Sequence, residues 1–161
     1  MITLRFVTAG DLASDAIRAE ERCWASHVEC RMPDGTLLGA HVDGGVQARP
    51  ADYDATWTQE LFVDLPATPR QADAFHAFLT AQVGKPYDLA AIADIAFGEA
   101  APVDPARAPD WICCELIVAA LLAAAIVPSA PCGVRTSTVR DALAIAGALA
   151  PVGAPTQRRA T

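Results

Sequence analysis

The sequence has no excess of basic residues. Its 12 lysine and arginine side chains are outnumbered by 19 aspartate and glutamate side chains, and the formal net charge at pH 7 is −7. Proteins that bind nucleic acid through its phosphates present a basic face, and proteins attracted to anionic lipid headgroups carry basic clusters. The composition therefore argues against a nucleic-acid partner and against charge-driven docking on a membrane.

Long hydrophobic runs are also missing. The longest apolar stretch, residues 116–128, is shorter than the roughly 20 residues that a membrane-spanning helix needs. The first residues of the chain lack the basic region and the following apolar run that mark a signal peptide. We therefore expect no transmembrane segment and a cytoplasmic protein, with export by another route still open.

The sequence also lacks a cysteine pattern that suggests disulfide bonds. The five cysteines are an odd number in a chain without a visible secretion signal, so they do not suggest a disulfide framework. What the sequence does have is 161 residues, of which 53% are hydrophobic, enough for one domain with its own core. We expect a single domain over residues 1–150 and a flexible tail over residues 151–161.

Strand patterns dominate the first part of the chain and helical patterns the second. Strands are predicted over residues 2–8, 26–32, 36–42, 46–50 and 61–65, and helices over 12–22, 70–83, 89–97, 113–127 and 136–149. A stretch rich in proline and alanine, residues 98–110, predicts a loop. This order predicts an α+β fold in which an antiparallel sheet packs against helices.

Cys113 lies where a loop meets the start of an apolar helix. The first amides of a helix have no partner within the helix and carry partial positive charge. A thiolate at that position is stabilised, so the pKa of the thiol falls and the group becomes a nucleophile near neutral pH. The alternative is that Cys113 and Cys114 are small buried side chains at the head of a core helix.

Two histidines on one predicted hairpin are candidates for the matching base. His27 lies on the first strand, and the strand period of two places Glu29 on the same face. His41 lies on the returning strand, within reach of His27 if the register allows it. The alternative is that His27 is a surface histidine with a solvated neighbour. Tyr87, in a Gly-Lys-Pro-Tyr loop, is either an active-site hydroxyl or a packed aromatic.

These motifs together resemble a known family. SHVE at residues 26–29, GAHVDGGV at 39–46, GKPYD at 84–88 and WICCEL at 111–116 resemble the circularly permuted NlpC-type family of papain-like proteins. That family includes YiiX-like bacterial proteins and, more distantly, lecithin:retinol acyltransferase. In the unpermuted cell-wall peptidases the cysteine helix precedes the histidine strand, whereas here the histidine comes first.

The resemblance implies a papain-like fold and a role for each matching residue. Cys113 matches the nucleophile, His27 the general base, and Tyr87 a tyrosine near the nucleophile that assists the oxyanion. The family's serine after the nucleophile is replaced by Cys114. The usual third polar position falls near Gly39, which leaves Glu29 or His41 for that role.

The implied chemistry is acyl transfer through a thioacyl-enzyme, with no metal and no cofactor. The expected substrate is a small peptide, an amide or an acyl lipid. One alternative is a catalytically inactive module that binds an acyl group, a lipid or a peptide on the same fold. A second is a metal-binding protein that uses Cys23, His27 and Cys30 with the Cys113–Cys114 pair, although that spacing is not a standard zinc pattern.

Overall fold

A computed structural model gives the chain an α+β fold built on a six-stranded sheet. The structure describes residues 1–10, 12–54, 56–91, 109–128, 138–150 and 157–159. The strands are β1 Ile2–Ala9, β2 His27–Arg31, β3 Leu37–His41, β4 Gly45–Arg49, β5 Trp57–Leu65 and β6 Gln157–Arg159. The helices with assigned bounds are α1 Leu12–Glu21, α2 Pro69–Ala81, α3 Cys113–Ala123 and α4 Val139–Leu149.

The sheet has the order β4-β3-β2-β1-β5-β6, and every neighbouring pair is antiparallel. β1 lies inside the sheet and pairs with β2 on one side and with β5 on the other. Its residues Ile2, Leu4 and Phe6 are fully buried on one face. Arg5 is also buried, on the opposite face. β1 is therefore covered on both faces, which places one charged side chain in the interior.

The helix that begins at Cys113 is the central helix of the core. All its residues from Cys113 to Leu121 are buried, and it packs against α2, α4, β2 and β3. Apart from Glu115 in its first turn, the helix is apolar on every side, and such a helix belongs inside a protein rather than on its surface. The core therefore fixes the position of the start of α3 relative to the hairpin of β2 and β3.

The predicted α+β class and the antiparallel sheet are confirmed, with some shifted boundaries. β5 begins at Trp57 instead of residue 61, because its first residues continue the pairing with the end of β1. α4 begins at Val139 instead of residue 136, because Thr138 and Asp141 form a capping box that starts the helix there. α3 ends at Ala123, before the predicted residue 127.

The end of the chain differs from the expected flexible tail. Gln157–Arg159 pair with Gln59–Leu61 and form the edge strand β6. The free edge of β5 offers unpaired backbone groups that an extended segment of any composition satisfies, so the polar sequence gave no signal of it. Most of the predicted helix 89–97 lies outside the described residues, as do almost all of the predicted loop 98–110 and Cys132. No helix in the described part of the chain has the length and apolar character to cross a membrane.

Candidate active site

Cys113 is the first residue of α3 and is almost fully buried. The preceding residue, Ile112, is extended and supplies no capping side chain, so no side-chain cap competes for the first amides of the helix. Trp111 pairs with Tyr87 in a parallel bridge, and this bridge holds the segment just before the thiol. The cysteine therefore lies at a helix start that is fixed from both sides.

The two adjacent thiols differ in their electrostatics. A hydrogen bond from Cys114 lowers the pKa of Cys113 well below its usual value; burial opposes this, and the charge and hydrogen bond of His27 lower the pKa further. Burial, followed by the hydrogen bond to Cys113, raises the pKa of Cys114. The thiolate is therefore favoured on Cys113 and disfavoured on Cys114.

His27 is the first residue of β2 and lies beside Val7 of β1. Burial by itself lowers the pKa of this histidine. The charge and hydrogen bond of Cys113, and then the nearby carboxylate of Glu29, outweigh burial and raise the pKa to about 10. Together with the shift at Cys113, this favours an imidazolium facing a thiolate.

Glu29 lies between two histidines. Its Oε2 is 3.7 Å from Nε2 of His27 and 3.7 Å from Nε2 of His41. Its Oε1 accepts a hydrogen bond of 2.6 Å from Nη1 of Arg5. Burial raises the pKa of the Glu29 carboxyl, but His27 and Arg5 outweigh burial and lower the pKa to about 2. Glu29 is therefore a buried carboxylate next to His27.

His41, the last residue of β3, packs against the rings of His27 and Tyr53. Its ring centroid is 4.9 Å from that of His27 and 5.4 Å from that of Tyr53, whose ring is nearly perpendicular to it. Burial, and then the positive charge of His27, lower the pKa of His41 to about 3. His41 is therefore neutral beside a charged histidine.

A glycine makes room for this cluster. A Cβ at Gly39 would lie 2.9 Å from Cβ of Glu29 and 3.6 Å from Nε2 of His27. The family resemblance predicts a third polar side chain near position 39. Because that residue is glycine, the side chain of Glu29 fills the space instead. Both predicted candidates, Glu29 and His41, lie next to His27.

Two residues of the site were missed by the sequence analysis. Arg5 joins Glu29 to Glu60, with its Nε 2.6 Å from Oε1 of Glu60. The hydroxyl of Tyr53 lies 3.3 Å from Oε2 of Glu29. An arginine inside the apolar pattern of β1 was a weak signal, but its partners depend on strand register. Tyr53 lies in a segment predicted as a loop, where nothing in the pattern marked it.

The loop that carries Tyr87 is fixed to β4. Val46 N–H donates to Lys85 O at 2.9 Å, and Gly84 N–H donates to Val46 O at 2.9 Å. This approach requires glycine at position 45, where a Cβ would lie 2.1 Å from Lys85 O. Burial, and then the negative charges of Cys113 and Cys114, raise the pKa of Tyr87. Its hydroxyl is therefore protonated and near the thiols.

Two cavities meet at the site. A cavity of about 120 Å³ with mainly apolar walls is lined by Cys113, Cys114 and residues of α1 and α4. A more polar cavity of about 310 Å³ is lined by His27, His41 and Tyr53 among others. Three residues line both cavities: Ile17, Ser26 and Tyr87. A substrate in this cleft would lie across the cysteine and the histidine.

The described residues include one group that is able to hold a metal ion, and it differs from the set expected from sequence. Its members are His27, Glu29 and His41, whose potential ligand atoms all lie within 4.8 Å of one another. Within the described part of the chain, Cys23, Cys30 and the vicinal cysteines do not form such a group with His27. Cys30 belongs to the buried core, on the opposite face of β2 from His27.

Comparisons with known proteins give a structural neighbour only. No protein-family model and no curated protein match the sequence. The fold is similar to the crystal structure of metalloprotein YiiX (DUF1105) from Escherichia coli O157:H7, with a TM-score of 0.59 and 16% sequence identity. The match covers 78% of this chain and 66% of YiiX, so the chain spans just under two thirds of that protein. At this identity, the likeness establishes a YiiX-like fold alone.

Proposed function

We propose that this chain is a cysteine hydrolase that cleaves amide, ester or thioester bonds through a thioacyl-enzyme. The observation that carries the proposal is the contact between Cys113, at the start of α3, and His27 of β2, with the pKa of the thiol lowered and that of the imidazole raised. A nucleophile and a base held by separate, rigid elements are the arrangement that covalent catalysis requires. The YiiX-like fold agrees with a permuted NlpC-type, papain-like domain.

The reaction begins with the thiolate. Sγ of Cys113 attacks the substrate carbonyl carbon and forms a tetrahedral intermediate whose oxyanion faces the first amides of α3 and the hydroxyl of Tyr87. His27 donates its proton to the leaving amine or alcohol, and the thioacyl-enzyme remains. A water molecule then gives a proton to His27 and attacks the acyl carbon, which releases the acid and restores the thiolate. An amine or alcohol in place of water gives acyl transfer.

Glu29 and His41 are positioning residues in this scheme. Nε2 of His27 faces Glu29, so we assign Nδ1 to the thiol. The carboxylate holds the ring orientation and stabilises the imidazolium, as the third member of a catalytic triad does. His41 packs on the ring of His27 and limits its rotation.

Thiol labelling tests the proposal before any substrate is known. The rate of iodoacetamide labelling at Cys113 is measured by peptide mapping between pH 5 and 10, in the wild type, His27→Ala and the matched control His76→Ala. We expect an apparent pKa at Cys113 well below the usual 8.5 or so, which rises in His27→Ala and stays unchanged in His76→Ala. The partly exposed Cys23, whose pKa is raised by burial, is the internal slow reference.

A second measurement addresses turnover. Hydrolysis of p-nitrophenyl esters is followed with wild type, Cys113→Ser and His27→Ala. Loss of the general base is expected to lower the rate by a factor of about 10² to 10⁴. A Cys113 that labels no faster than Cys23 and is indifferent to His27→Ala would contradict the proposal and favour a binding module on this fold.

A further inference from the structure

We propose that His27, Glu29 and His41 form a binding site for a divalent transition-metal cation such as Zn²⁺, and that an occupied site holds the cysteine inactive. The second half of this inference rests on the function proposed above, whereas the first half does not.

The geometry of the three side chains fits a metal. Oε2 of Glu29 is 3.7 Å from each histidine Nε2, and the ligand atoms lie within 4.8 Å of one another. Tetrahedral zinc with bonds of about 2.0–2.2 Å places its ligands roughly 3.4 Å apart. The distances between these ligand atoms therefore need to shorten by between a few tenths of an ångström and about 1.4 Å around an ion.

Polar atoms without partners point into the same space. Nε2 of His27 and Nε2 of His41 are buried, and neither has a hydrogen-bond partner among the described residues. His41 is 7% exposed and Glu29 is fully buried, where a polar atom ordinarily has a partner. A cation at this point would be the shared partner of all three side chains.

The surroundings supply orientation and access. Arg5 holds Oε1 of Glu29 and is itself balanced by Glu60, so Oε2 is the oxygen turned to the histidines. Such outer contacts orient metal ligands in proteins. The cavity of about 310 Å³ that reaches His27 and His41 provides an entry path and space for a water molecule as fourth ligand.

Metal binding and thiol chemistry would compete for His27. To coordinate through Nε2, the imidazolium must release its Nε2 proton to solvent, and the metal takes that position. The ring then carries a single proton, at Nδ1 facing Cys113, and it holds this proton more tightly than the imidazolium does, because losing it would leave an imidazolate on the metal. The ring can therefore no longer cycle a proton between nucleophile, leaving group and water.

The test uses metal-free protein prepared with a chelator and titrated with Zn²⁺ by calorimetry. Wild type and Cys113→Ser are expected to bind one equivalent with similar affinity. His41→Ala and His41→Gln are expected to bind at least 10-fold more weakly, and His76→Ala to bind normally. Loss of binding in Cys113→Ser would overturn the inference, because it would place the ion on the thiolate.

X-ray absorption of the zinc-loaded wild type keeps the test independent of whether the variants fold. Nitrogen and oxygen ligands alone support the site, whereas a sulfur ligand near 2.3 Å overturns it. Hydrolysis of p-nitrophenyl esters by the wild type is expected to slow with one equivalent of Zn²⁺ and to recover with chelator, because turnover needs proton transfer through His27; hydrolysis that ignores bound zinc refutes the inhibition. A metal-free Cys113 without fast labelling would instead refute the proposed hydrolase while leaving the metal site intact.

Discussion

Arg5 is the residue on which the buried charges of the site depend. It is 1% exposed and is the cation that pairs with both Glu29 and Glu60. Burying a charge costs several kcal/mol unless it is paired. The carboxylate of Glu29 is therefore held as an ion by His27 and by the guanidinium that β1 brings to it.

Replacing Arg5 with Met is expected to lower the free energy of unfolding by about 3–5 kcal/mol, because two buried carboxylates lose their partner. Urea denaturation measures this change. The matched control is Arg18→Met, which removes a partly exposed ion pair with Asp15 and is expected to cost no more than about 1 kcal/mol. Equal losses in the two variants would mean that the Arg5 network does not stabilise the fold.

At this scale the sequence predicts the candidate residues that belong to local motifs. Cys113, His27 and Tyr87 were predicted because a helix start, a strand and a glycine-proline loop are all visible in the sequence, and the structure brings the three residues close together. Arg5 and Tyr53 were missed because their contact with Glu29 depends on which strands pair and in which register. Register is set by long-range pairing and hydrophobic burial, and single residues do not reveal it.

At the scale of elements, the contact of β4 with the Tyr87 loop links the sheet to the site. Gly45 has a φ of +69° and approaches Lys85 closely. A Cβ at position 45 would collide with the backbone of Lys85, which cannot move aside as a flexible side chain does. The loop that presents Tyr87 to the thiols is thus positioned by the turn before β4.

Gly45→Ala is expected to destabilise the protein and to displace this loop. The left-handed backbone adds strain of about 1–3 kcal/mol, and the overlap with Lys85 adds to it. Thermal unfolding and the rate of Cys113 labelling measure the two effects. Gly35→Ala is the control, because its φ is +88° but a Cβ there has no neighbour within 4 Å, so about 1 kcal/mol and normal labelling are expected. Identical behaviour of the two variants would rule out a role for the close approach.

Element types were predictable where the pattern was long and regular. The apolar run after Cys113 predicted a core helix, and the two adjacent strand patterns at residues 26–32 and 36–42 predicted the hairpin of β2 and β3. Boundaries were set by contacts that the pattern does not show, such as the capping box of Thr138 and the pairing of β5 with the end of β1. The strand β6 forms by pairing with the free edge of β5, so its own residues do not predict it.

For the molecule as a whole, Glu21 couples stability to pH. Its carboxylate accepts a hydrogen bond of 3.2 Å from Arg140 N–H at the start of α4. Burial nevertheless raises the pKa of Glu21 from 4.5 to about 7. The folded protein therefore holds this proton more tightly than the unfolded chain does. The contribution to stability is greatest below pH 4.5, is lost as the pH rises towards 7, and is constant above that.

Glu21→Gln is expected to remove this dependence, because the amide oxygen still accepts the hydrogen bond without ionising. Melting temperatures of wild type and variant are compared between pH 4 and 8, and the advantage of the variant should grow between pH 4.5 and 7. Glu20→Gln, at an exposed neighbouring position, is the control and should follow the wild type. Parallel curves for wild type and Glu21→Gln would contradict the raised pKa.

The overall class was predictable from the sequence, but the topology was not. Strands followed by helices indicated an antiparallel sheet with a helical layer. That β1 lies between β2 and β5 is decided by pairing across more than fifty residues, which no local pattern records.

Cys113 and His27 meet only after the whole segment between them has been made. During synthesis β1 and β2 leave the ribosome first. His27 then has no thiol beside it until the segment that contains Cys113 follows. Until α3 docks, Cys113 has neither a helix start nor an imidazolium beside it and is an ordinary, slow thiol. The thiol of Cys113 is therefore unreactive until α3 docks. The reactivity that we propose would arise with the folded structure and disappear whenever the protein unfolds.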